Sequence, residues 1–230
     1  MIYDAAIIGG GAAGLFCAIT AGKRGRRVVV LEHNSEVGRK ILISGGGRCN
    51  FTNTGTTAEN FISENPHFAR SALAGFTPED FIDLVRSHHV PFYEKKLGQL
   101  FCRESARAIV EMLLKECSAA KVNVRTSCSV KAVEKDNDFR VETNQGVFTC
   151  ESLVVATGGL SYPKVGATDL GYGLARKFGL KITGTRPSLV ALVAENGSLS
   201  FPPLAGVSID SVALARKHSF RENILFTHRG

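Results

Sequence analysis

One stretch near the start of the chain decides its fold: Ala5-Ala6-Ile7-Ile8-Gly9-Gly10-Gly11-Ala12-Ala13-Gly14. The four apolar residues predict a buried strand, and the glycines that follow predict a tight turn. A helix is predicted from Ala12 to about Gly22. A second apolar run, Val28–Leu31, ends at the acid Glu32. A strand, glycine turn, helix and strand of about 30 residues, closed by an acid, is typical of a dinucleotide-binding unit.

The glycines and the acid of this unit each have a physical role in binding a dinucleotide. Gly9 permits the tight turn, Gly11 lets the backbone approach a pyrophosphate, and Gly14 lets the helix pack closely on the strand. The helix N-terminus offers unpaired N–H groups to the anion. Glu32 can accept hydrogen bonds from both hydroxyls of an adenosine ribose. The alternative is a glycine-rich turn without a ligand, but the position of Glu32 favours the dinucleotide.

The charge balance leaves several partner classes open. The 230 residues hold 28 Lys and Arg against 21 Asp and Glu, a formal net charge of +7. Such an excess could indicate nucleic acid or a membrane surface. The positive residues are scattered, however, apart from Lys23–Arg27, which fall in a predicted loop and are expected to be solvated. An anionic ligand is the second explanation for the excess.

The cysteines and the apolar runs predict the compartment. Six cysteines are dispersed without a C-x-x-C pair or metal-ligand spacing, so we expect free thiols and no metal site. No apolar run approaches the ~20 residues that span a bilayer. The chain begins directly with a predicted core strand, so no signal peptide is expected. These features predict a cytoplasmic protein without a membrane partner.

The remaining patterns predict an α/β fold, namely a Rossmann-type parallel sheet with a three-stranded β-meander and a helical excursion at about 55–120. The predicted meander strands are Ser129–Glu134, Phe139–Thr143 and Val147–Cys150. Leu153–Ala156 predicts a central parallel strand ending in Thr157-Gly158-Gly159. We predict a nucleotide-binding domain at 1–186 and the start of a second, mainly β domain at 187–230, with strands such as Leu189–Val193.

The sequence resembles a known group, the two-dinucleotide-binding-domain flavoproteins. Within that group it resembles a bacterial NAD(P)/FAD-dependent family that includes 3-dehydro-bile acid reductases. The residues that carry the resemblance are Gly9–Gly14, Glu32, Gly38-Arg39-Lys40, Ser44-Gly45-Gly46-Gly47-Arg48-Cys49-Asn50 and Ala156–Pro163. The Ser44–Asn50 segment is far more specific than the two glycine motifs, which many FAD and NAD enzymes share. The resemblance is strongest through residues 1–186.

The resemblance implies that FAD is bound non-covalently in an extended conformation. Arg39 and Lys40 would contact phosphate or ribose, Ser44–Gly47 would form an anion nest, and Val130 would meet the adenine. Thr157 and Gly158 would lie beside the flavin; the alternatives are a simple strand-ending turn there and a structural salt bridge for Arg48. The full set of predicted cofactor residues is Gly9, Gly11, Ala13, Gly14, Glu32, Arg39, Lys40, Ser44, Gly45, Gly46, Gly47, Arg48, Cys49, Val130, Thr157 and Gly158.

Candidates for catalysis are few. Asp169 and Tyr162 are the titratable residues of a segment that similar enzymes place over the flavin, although Asp169 could instead cap the following helix. Flavin disulfide reductases carry a C-x-x-x-x-C pair, and the residue five after Cys49 is Thr54. We therefore expect no dithiol relay and assign Cys49 to packing or polar support.

The leading functional prediction is a flavin-dependent oxidoreductase. It would pass reducing equivalents from NAD(P)H through FAD to an unsaturated or carbonyl-conjugated small molecule, and nucleic acid is not expected as a partner. Compared with the family, the chain stops at Gly230 inside the implied substrate domain, so we expect a C-terminal truncation. A truncated, non-catalytic FAD- or ADP-binding module is the alternative. A third hypothesis, an RNA-modifying flavoenzyme, rests only on the basic composition. The sequence carries no signal of oligomeric state.

Overall fold

The computed structural model describes residues 2–187, 204–215 and 218–227. The helices in these ranges are α1 Ala12–Lys23, α2 Arg39–Ile43, α3 Arg70–Gly75, α4 Pro78–Ser87, α5 Arg107–Ala119 and α6 Leu170–Lys177. The strands there are β1 Ile2–Ile8, β2 Val28–Leu31, β3 Asn50–Asn53, β4 Phe92–Glu94, β5 Gln99–Cys102, β6 Asn123–Arg125, β7 Val130–Lys135, β8 Phe139–Thr143, β9 Gly146–Val155, β10 Ser208–Ala215 and β11 His218–Leu225. The predicted α/β class is confirmed.

The central element is a six-stranded sheet in the order β6-β2-β1-β9-β8-β7. β6, β2, β1 and β9 run parallel to one another, whereas β8 pairs antiparallel with β9 and β7 pairs antiparallel with β8. All four residues of β2 are buried, as expected for an apolar strand inside a parallel sheet. The carboxyl ends of β1, β2 and β9 therefore meet at one edge, where ligands of such sheets bind.

β9 joins two elements that the sequence pattern separates. Its first half pairs antiparallel with β8, from Gly146 to Cys150, and its second half pairs parallel with β1, as far as Val155. The third meander strand and the predicted central strand Leu153–Ala156 are thus one continuous strand. The sequence pattern did not predict one continuous strand, because the polar residues Glu151 and Ser152 interrupt the apolar run. The meander is consequently an extension of the nucleotide-binding sheet.

The predicted helical excursion contains a small sheet as well as helices. β3, β5 and β4 form a three-stranded antiparallel sheet beside α3, α4 and α5. Its strands have only three or four residues, too few for the period-2 alternation that reveals a strand. α4, by contrast, has a clear start signal: Thr77 and Asp80 form a capping box through reciprocal side-chain to backbone hydrogen bonds.

The core lies on both faces of the large sheet. On one face, α1 packs between the sheet and α5, with Leu15 and Met112 fully buried. On the other face, Val133 and Val141 of the antiparallel strands pack with Leu174 of α6. In residues 2–187, 204–215 and 218–227, no helix is long and apolar enough to cross a membrane. Packing on two faces fixes the strand ends that line the candidate site.

The chain divides into two compact units, Met1–Ile182 and Thr183–Gly230. The first contains the large sheet, the small sheet and all six helices of the described ranges. In the second, β10 and β11 form an antiparallel hairpin from Ser208↔Leu225 to Ala215↔His218. The predicted strand Leu189–Val193 lies outside the described residues, and the domain boundary at 186/187 stays a prediction.

Candidate dinucleotide site

A cavity of about 690 Å³ opens at the carboxyl ends of β1, β2 and β9. Its volume is within the range of small-molecule and cofactor sites, ~300–1,000 Å³. The predicted cofactor residues that line it are Gly9, Gly11, Ala13, Glu32, Arg39, Lys40, Val130, Thr157 and Gly158. Residues from five separate stretches of sequence therefore meet at one cavity.

The three motif glycines perform different steric tasks. Gly9 has a φ of +110°, and a Cβ there would collide with the carbonyl oxygen of Ala156 on β9. A Cβ on Gly14 would collide with the carbonyl oxygen of Gly9. A Cβ on Gly11 would meet no atom within 4 Å, and Gly11 lines the cavity. Gly9 and Gly14 are thus required by protein packing, whereas Gly11 leaves space open for a ligand.

The first turn of α1 faces the same cavity. Its first intrahelical hydrogen bond runs from the Leu15 N–H to the Gly11 carbonyl oxygen, at 3.0 Å. The N–H groups of Ala12, Ala13 and Gly14 therefore precede the regular hydrogen-bonding pattern of the helix. Ala12 and Ala13 line the cavity, although Gly14 does not. These donors, at the positive end of the helix dipole, suit a phosphate group.

Glu32 is almost fully buried, with 6% of its surface exposed. Its Oε2 accepts a hydrogen bond from the Gly10 N–H at 2.7 Å, which ties β2 to the glycine turn. Its Oε1 accepts bonds from the backbone N–H and the side-chain amide of Asn34, at 2.8 and 2.7 Å. The carboxylate is thus oriented before any ligand arrives, while the residue still lines the cavity.

Asn34 is a site residue that the sequence patterns did not indicate. Besides holding Glu32, it accepts a hydrogen bond from the Arg39 guanidinium at 2.9 Å. A Cβ on Gly166 would lie 2.7 Å from the Asn34 amide and from the His33 ring, so the loop after β9 passes very close to these residues. No spacing rule marks Asn34; its only signal is its position two residues after Glu32.

Lys40 connects α2 to the segment after β9. Its Nζ donates to the Gly159 carbonyl oxygen at 2.9 Å and lies 3.4 Å from the Ser161 hydroxyl. Thr157 and Gly158, just before these partners, line the cavity. The contact places the Lys40 ammonium on the cavity wall formed by α2 and the segment after β9. Its positive charge there suits an anionic ligand.

A second cavity of about 540 Å³ adjoins the first. The two share Ala12, Ala13, Lys40 and Ile41 as lining residues. The additional lining is mixed polar and apolar and includes four aromatic residues, Phe16, Phe51, Phe76 and Phe81. Of the predicted cofactor residues outside the first cavity, Ser44 and Cys49 line this second one. Glu32 thus lines the first cavity, the phenylalanines line the second, and the first turn of α1 lines both.

Three of the four residues of the turn Ser44–Gly47 adopt left-handed backbone conformations. Gly45, Gly46 and Gly47 have φ values of +57°, +66° and +84°. Gly47 accepts a hydrogen bond from the Ala106 N–H, which attaches the turn to the start of α5. Gly45, Gly46 and Gly47 line neither of the two cavities. Their role as an anion nest for the cofactor therefore stays a prediction.

The side chains of Arg48 and Cys49 lie in different surroundings. Arg48 is exposed, lines neither cavity, and its guanidinium lies 3.3 Å from the Tyr93 hydroxyl. Burial raises the pKa of the Cys49 thiol, with a partly opposing hydrogen bond to Ser44. Burial, together with the nearby Cys49, raises the pKa of Cys102 to about 11. At neutral pH these thiols are protonated and poorly nucleophilic.

The two catalytic candidates lie outside both cavities. Tyr162 is 62% exposed, with a φ of +59°. Asp169 occupies the N-cap position of α6, yet its side chain makes no capping hydrogen bond. Its neighbours Thr168 and Leu170 do line the first cavity. A catalytic role for either candidate stays a prediction.

The fold and the cavity define a Rossmann-type dinucleotide-binding protein. The model of the HI0933-like protein Rossmann domain matches residues 3–226, and the chain belongs to this family. The family is one of FAD-binding proteins, which supports the predicted cofactor. The sequence resemblance to FAD-dependent bacterial flavoproteins is confirmed at this level.

Curated relatives refine the family assignment. The chain is 50% identical to the ribosomal RNA dihydrouridine synthase of Escherichia coli K12, over 99% of this chain and 58% of the relative. It is 46% identical to the protein of the same name from Haemophilus influenzae, over 97% and 57%. The 3-dehydro-bile acid delta(4,6)-reductase of Clostridium scindens is more distant, at 32% identity over 91% and 51%.

These relatives correct two predictions. The leading prediction of a small-molecule reductase is wrong, because the two more similar proteins are named for a reaction on ribosomal RNA. The expectation that nucleic acid is not a partner is wrong for the same reason. The basic composition was the one sequence signal for RNA, and its scatter along the chain made it weak. The chain spans a little over half the length of these relatives.

Proposed function

We propose that this chain belongs to an FAD-dependent enzyme that reduces uridine to dihydrouridine in ribosomal RNA. The observation that carries the proposal is the identity of 50% and 46% to two ribosomal RNA dihydrouridine synthases over nearly the whole chain. An identity this high over nearly the whole chain supports a shared cofactor and a shared reaction class. The chain spans 58% and 57% of these two relatives, so the activity is proposed for the whole protein and not for this chain alone.

The described residues fit FAD. Gly11 leaves open space for the approach of a pyrophosphate, and Ala12 and Ala13 of the first turn of α1 line the same cavity. Glu32 is held in position to accept ribose hydroxyls, and a 2′-phosphate there would meet its negative charge. These features support the adenosine and pyrophosphate half of the cofactor.

The second cavity supports the other half. A ligand that extends from Glu32 past the glycine turn reaches the shared residues Ala12 and Ala13 and then the phenylalanine-lined space. Planar ring systems pack favourably against aromatic side chains, in stacked or edge-to-face arrangements. We assign the second cavity to the planar flavin end of FAD, with Ser44 and Cys49 beside it.

The reaction adds two hydrogen atoms across the C5–C6 double bond of the uracil base. FAD supplies the two-electron hydride chemistry when it is bound, and we propose NAD(P)H as the donor that reduces it. The residues of this chain bind and orient: Glu32 holds the ribose end, α1 holds the pyrophosphate, and Lys40 adds positive charge beside Thr157 and Gly158.

The decisive experiment measures dihydrouridine directly. The FAD-loaded protein is incubated with NADH or NADPH and with ribosomal RNA from cells that lack the corresponding enzyme, and dihydrouridine is measured by mass spectrometry of nucleosides. We expect dihydrouridine to form at a defined uridine and to require the nicotinamide donor. Gly11→Val, which fills the cavity, serves as the cofactor-free control.

Two outcomes would contradict the proposal. A protein that holds FAD and is reduced by NAD(P)H but leaves ribosomal RNA unchanged would not be a uridine reductase. A protein that holds FAD and is not reduced by either donor would match the non-catalytic module instead. In both cases the flavin absorbance separates loss of chemistry from loss of the cofactor.

A further inference from the structure

A group of cationic and aromatic side chains lies together on the small β3-β5-β4 sheet. We call it the Tyr93 patch and define it as Arg48, Tyr93, Lys95, Phe101 and Arg103. The Arg48 guanidinium lies 3.3 Å from the Tyr93 hydroxyl, and the Arg103 guanidinium carbon lies 5.9 Å from the centre of the Tyr93 ring. The Lys95 ammonium lies 5.3 Å from the centre of the Phe101 ring.

Backbone pairing holds these side chains together. Tyr93 on β4 pairs with Phe101 on β5, and their ring centres are 6.1 Å apart. The Cys102 N–H donates to the Arg48 carbonyl oxygen, and the Arg103 N–H donates to the Pro91 carbonyl oxygen, both at 2.9 Å. The backbone segments that carry the three cations are therefore held together by the sheet and its flanking hydrogen bonds.

Within the described residues, the positive charges of the patch have no carboxylate partner. Arg48, Lys95 and Arg103 are exposed, and none forms an ion pair with a carboxylate in the part of the chain that the structure describes. Other exposed arginines are paired, such as Arg86 with Glu79 and Asp83. The adjacent Glu94 accepts a hydrogen bond from the Gly98 N–H. The patch thus offers three cations that phosphate groups can neutralise.

The patch also adjoins the Ser44–Cys49 segment, two residues of which line the second cavity. Arg48 stands directly before Cys49, which lines the second cavity, and Phe101 would contact any Cβ placed on Gly45, at 2.7 Å. A nucleic acid strand that is bound at the patch therefore passes beside the Ser44–Cys49 segment. Single-stranded RNA is recognised by this combination of basic side chains with aromatic and guanidinium planes on which bases stack.

We propose that the Tyr93 patch binds a single-stranded RNA segment next to the target uridine. Arg48, Lys95 and Arg103 contact phosphates, and the Tyr93–Arg103 pair offers a planar surface to a base. The inference rests on the proposed function, because RNA is the partner that the function implies. It adds which surface of the protein holds that partner.

The test compares two double variants that remove the same charge. Lys95→Ala/Arg103→Ala removes two cations of the patch and no predicted cofactor residue. Arg24→Ala/Arg26→Ala removes two exposed cations from the loop between α1 and β2, at the amino end of the parallel strands. Binding of a fluorescent oligouridylate of about 12 nucleotides is measured by anisotropy at several salt concentrations.

We expect the patch variant to bind the oligouridylate about 10-fold more weakly or worse. Its salt dependence should fall by about 1.4 in the slope of log K against log salt, since each single-strand phosphate contact contributes about 0.7. The control variant should stay within about 2-fold of the unmodified protein. Flavin content of both variants should be unchanged, which shows that they fold.

Three results would overturn the proposal: equal losses in both variants, a loss confined to the control, or no loss in either. Dihydrouridine formation separates this proposal from the proposed function. An unmodified protein that binds the oligouridylate through the patch but reduces no uridine would refute the function and leave the surface intact. An unmodified protein that reduces uridine, with patch variants of unchanged Kd and KM for RNA, would refute the surface alone.

Discussion

Two glycine-rich turns of this chain look alike in sequence and differ in structure. The Gly9–Gly14 turn follows β1 of the large sheet, and a Cβ on Gly9 or Gly14 would collide with a backbone carbonyl oxygen. The Ser44–Gly47 turn lies outside the large sheet, and its three glycines adopt left-handed backbone angles. At Gly9 and Gly14 of the first turn, glycine is needed because there is no room for a Cβ. In the second turn, glycine is needed mainly because the backbone φ angles are positive.

The space around each glycine indicates which role that glycine has in the motif. A glycine without space around it supports packing, and a glycine with open space beside a cavity supports a ligand. Within the first turn both kinds occur, since Gly14 is crowded and Gly11 is open. Substitutions can therefore separate folding from cofactor binding at neighbouring positions.

The largest effect is expected for Gly14→Val. The new side chain would collide with the Gly9 carbonyl oxygen and push α1 away from β1. Backbone cannot yield as a side chain can, so we expect a loss of ~4 kcal/mol or more in the free energy of unfolding, or failure to fold. Urea denaturation followed by circular dichroism measures it. A soluble variant with unchanged stability would show that the helix does not need this close approach.

The next largest effect is expected for Gly11→Val, and it falls on the cofactor. The side chain would enter the open space of the cavity without touching protein within 4 Å of its Cβ. We expect near-native stability of the apoprotein and FAD affinity at least 100-fold lower, a change of about 2.7 kcal/mol. Flavin absorbance and titration with FAD measure this. Stoichiometric FAD in the variant would place the pyrophosphate elsewhere.

The smallest effects are expected in the second turn, where Gly45→Ala and Gly46→Ala form a matched pair. Both residues have left-handed φ values, which cost a non-glycine residue about 1–2 kcal/mol. A Cβ on Gly45 would also lie 2.7 Å from the Asn50 nitrogen and the Phe101 ring, whereas one on Gly46 meets nothing within 4 Å. Gly45→Ala should therefore lower the thermal unfolding midpoint more. Equal shifts in calorimetry would mean that φ alone determines the cost.

The sequence predicted the parts of the fold that depend on local pattern. The β1–α1–β2 unit, the acid at Glu32 and the antiparallel meander all follow from apolar periodicity and glycine placement. The small β3-β5-β4 sheet did not follow, because strands of three or four residues carry no periodic signal. Asn34 was missed because its contacts with Glu32 and Arg39 form only in the folded turn.

The wrong functional prediction has a similar physical origin. In sequence the positive residues look scattered, and a scattered charge does not indicate RNA. In the structure Arg48, Lys95 and Arg103 come together around Tyr93 and Phe101, because β5 pairs with β4 and also with the distant β3. Long-range pairing therefore converts dispersed charges into a local surface.

Local patterns in the sequence are enough to specify an α/β protein with a glycine turn after its first strand and an acid at the end of its second, because backbone conformation and helix–strand packing restrict the residues at Gly9 and Gly14. Three features follow only from the folded chain: which glycine faces the cavity, the pairing of β9 with both β1 and β8, and which cations form the Tyr93 patch. The reason is that local patterns encode hydrogen bonding and burial along one element. Distances between elements arise only when the sheet and its helices pack together.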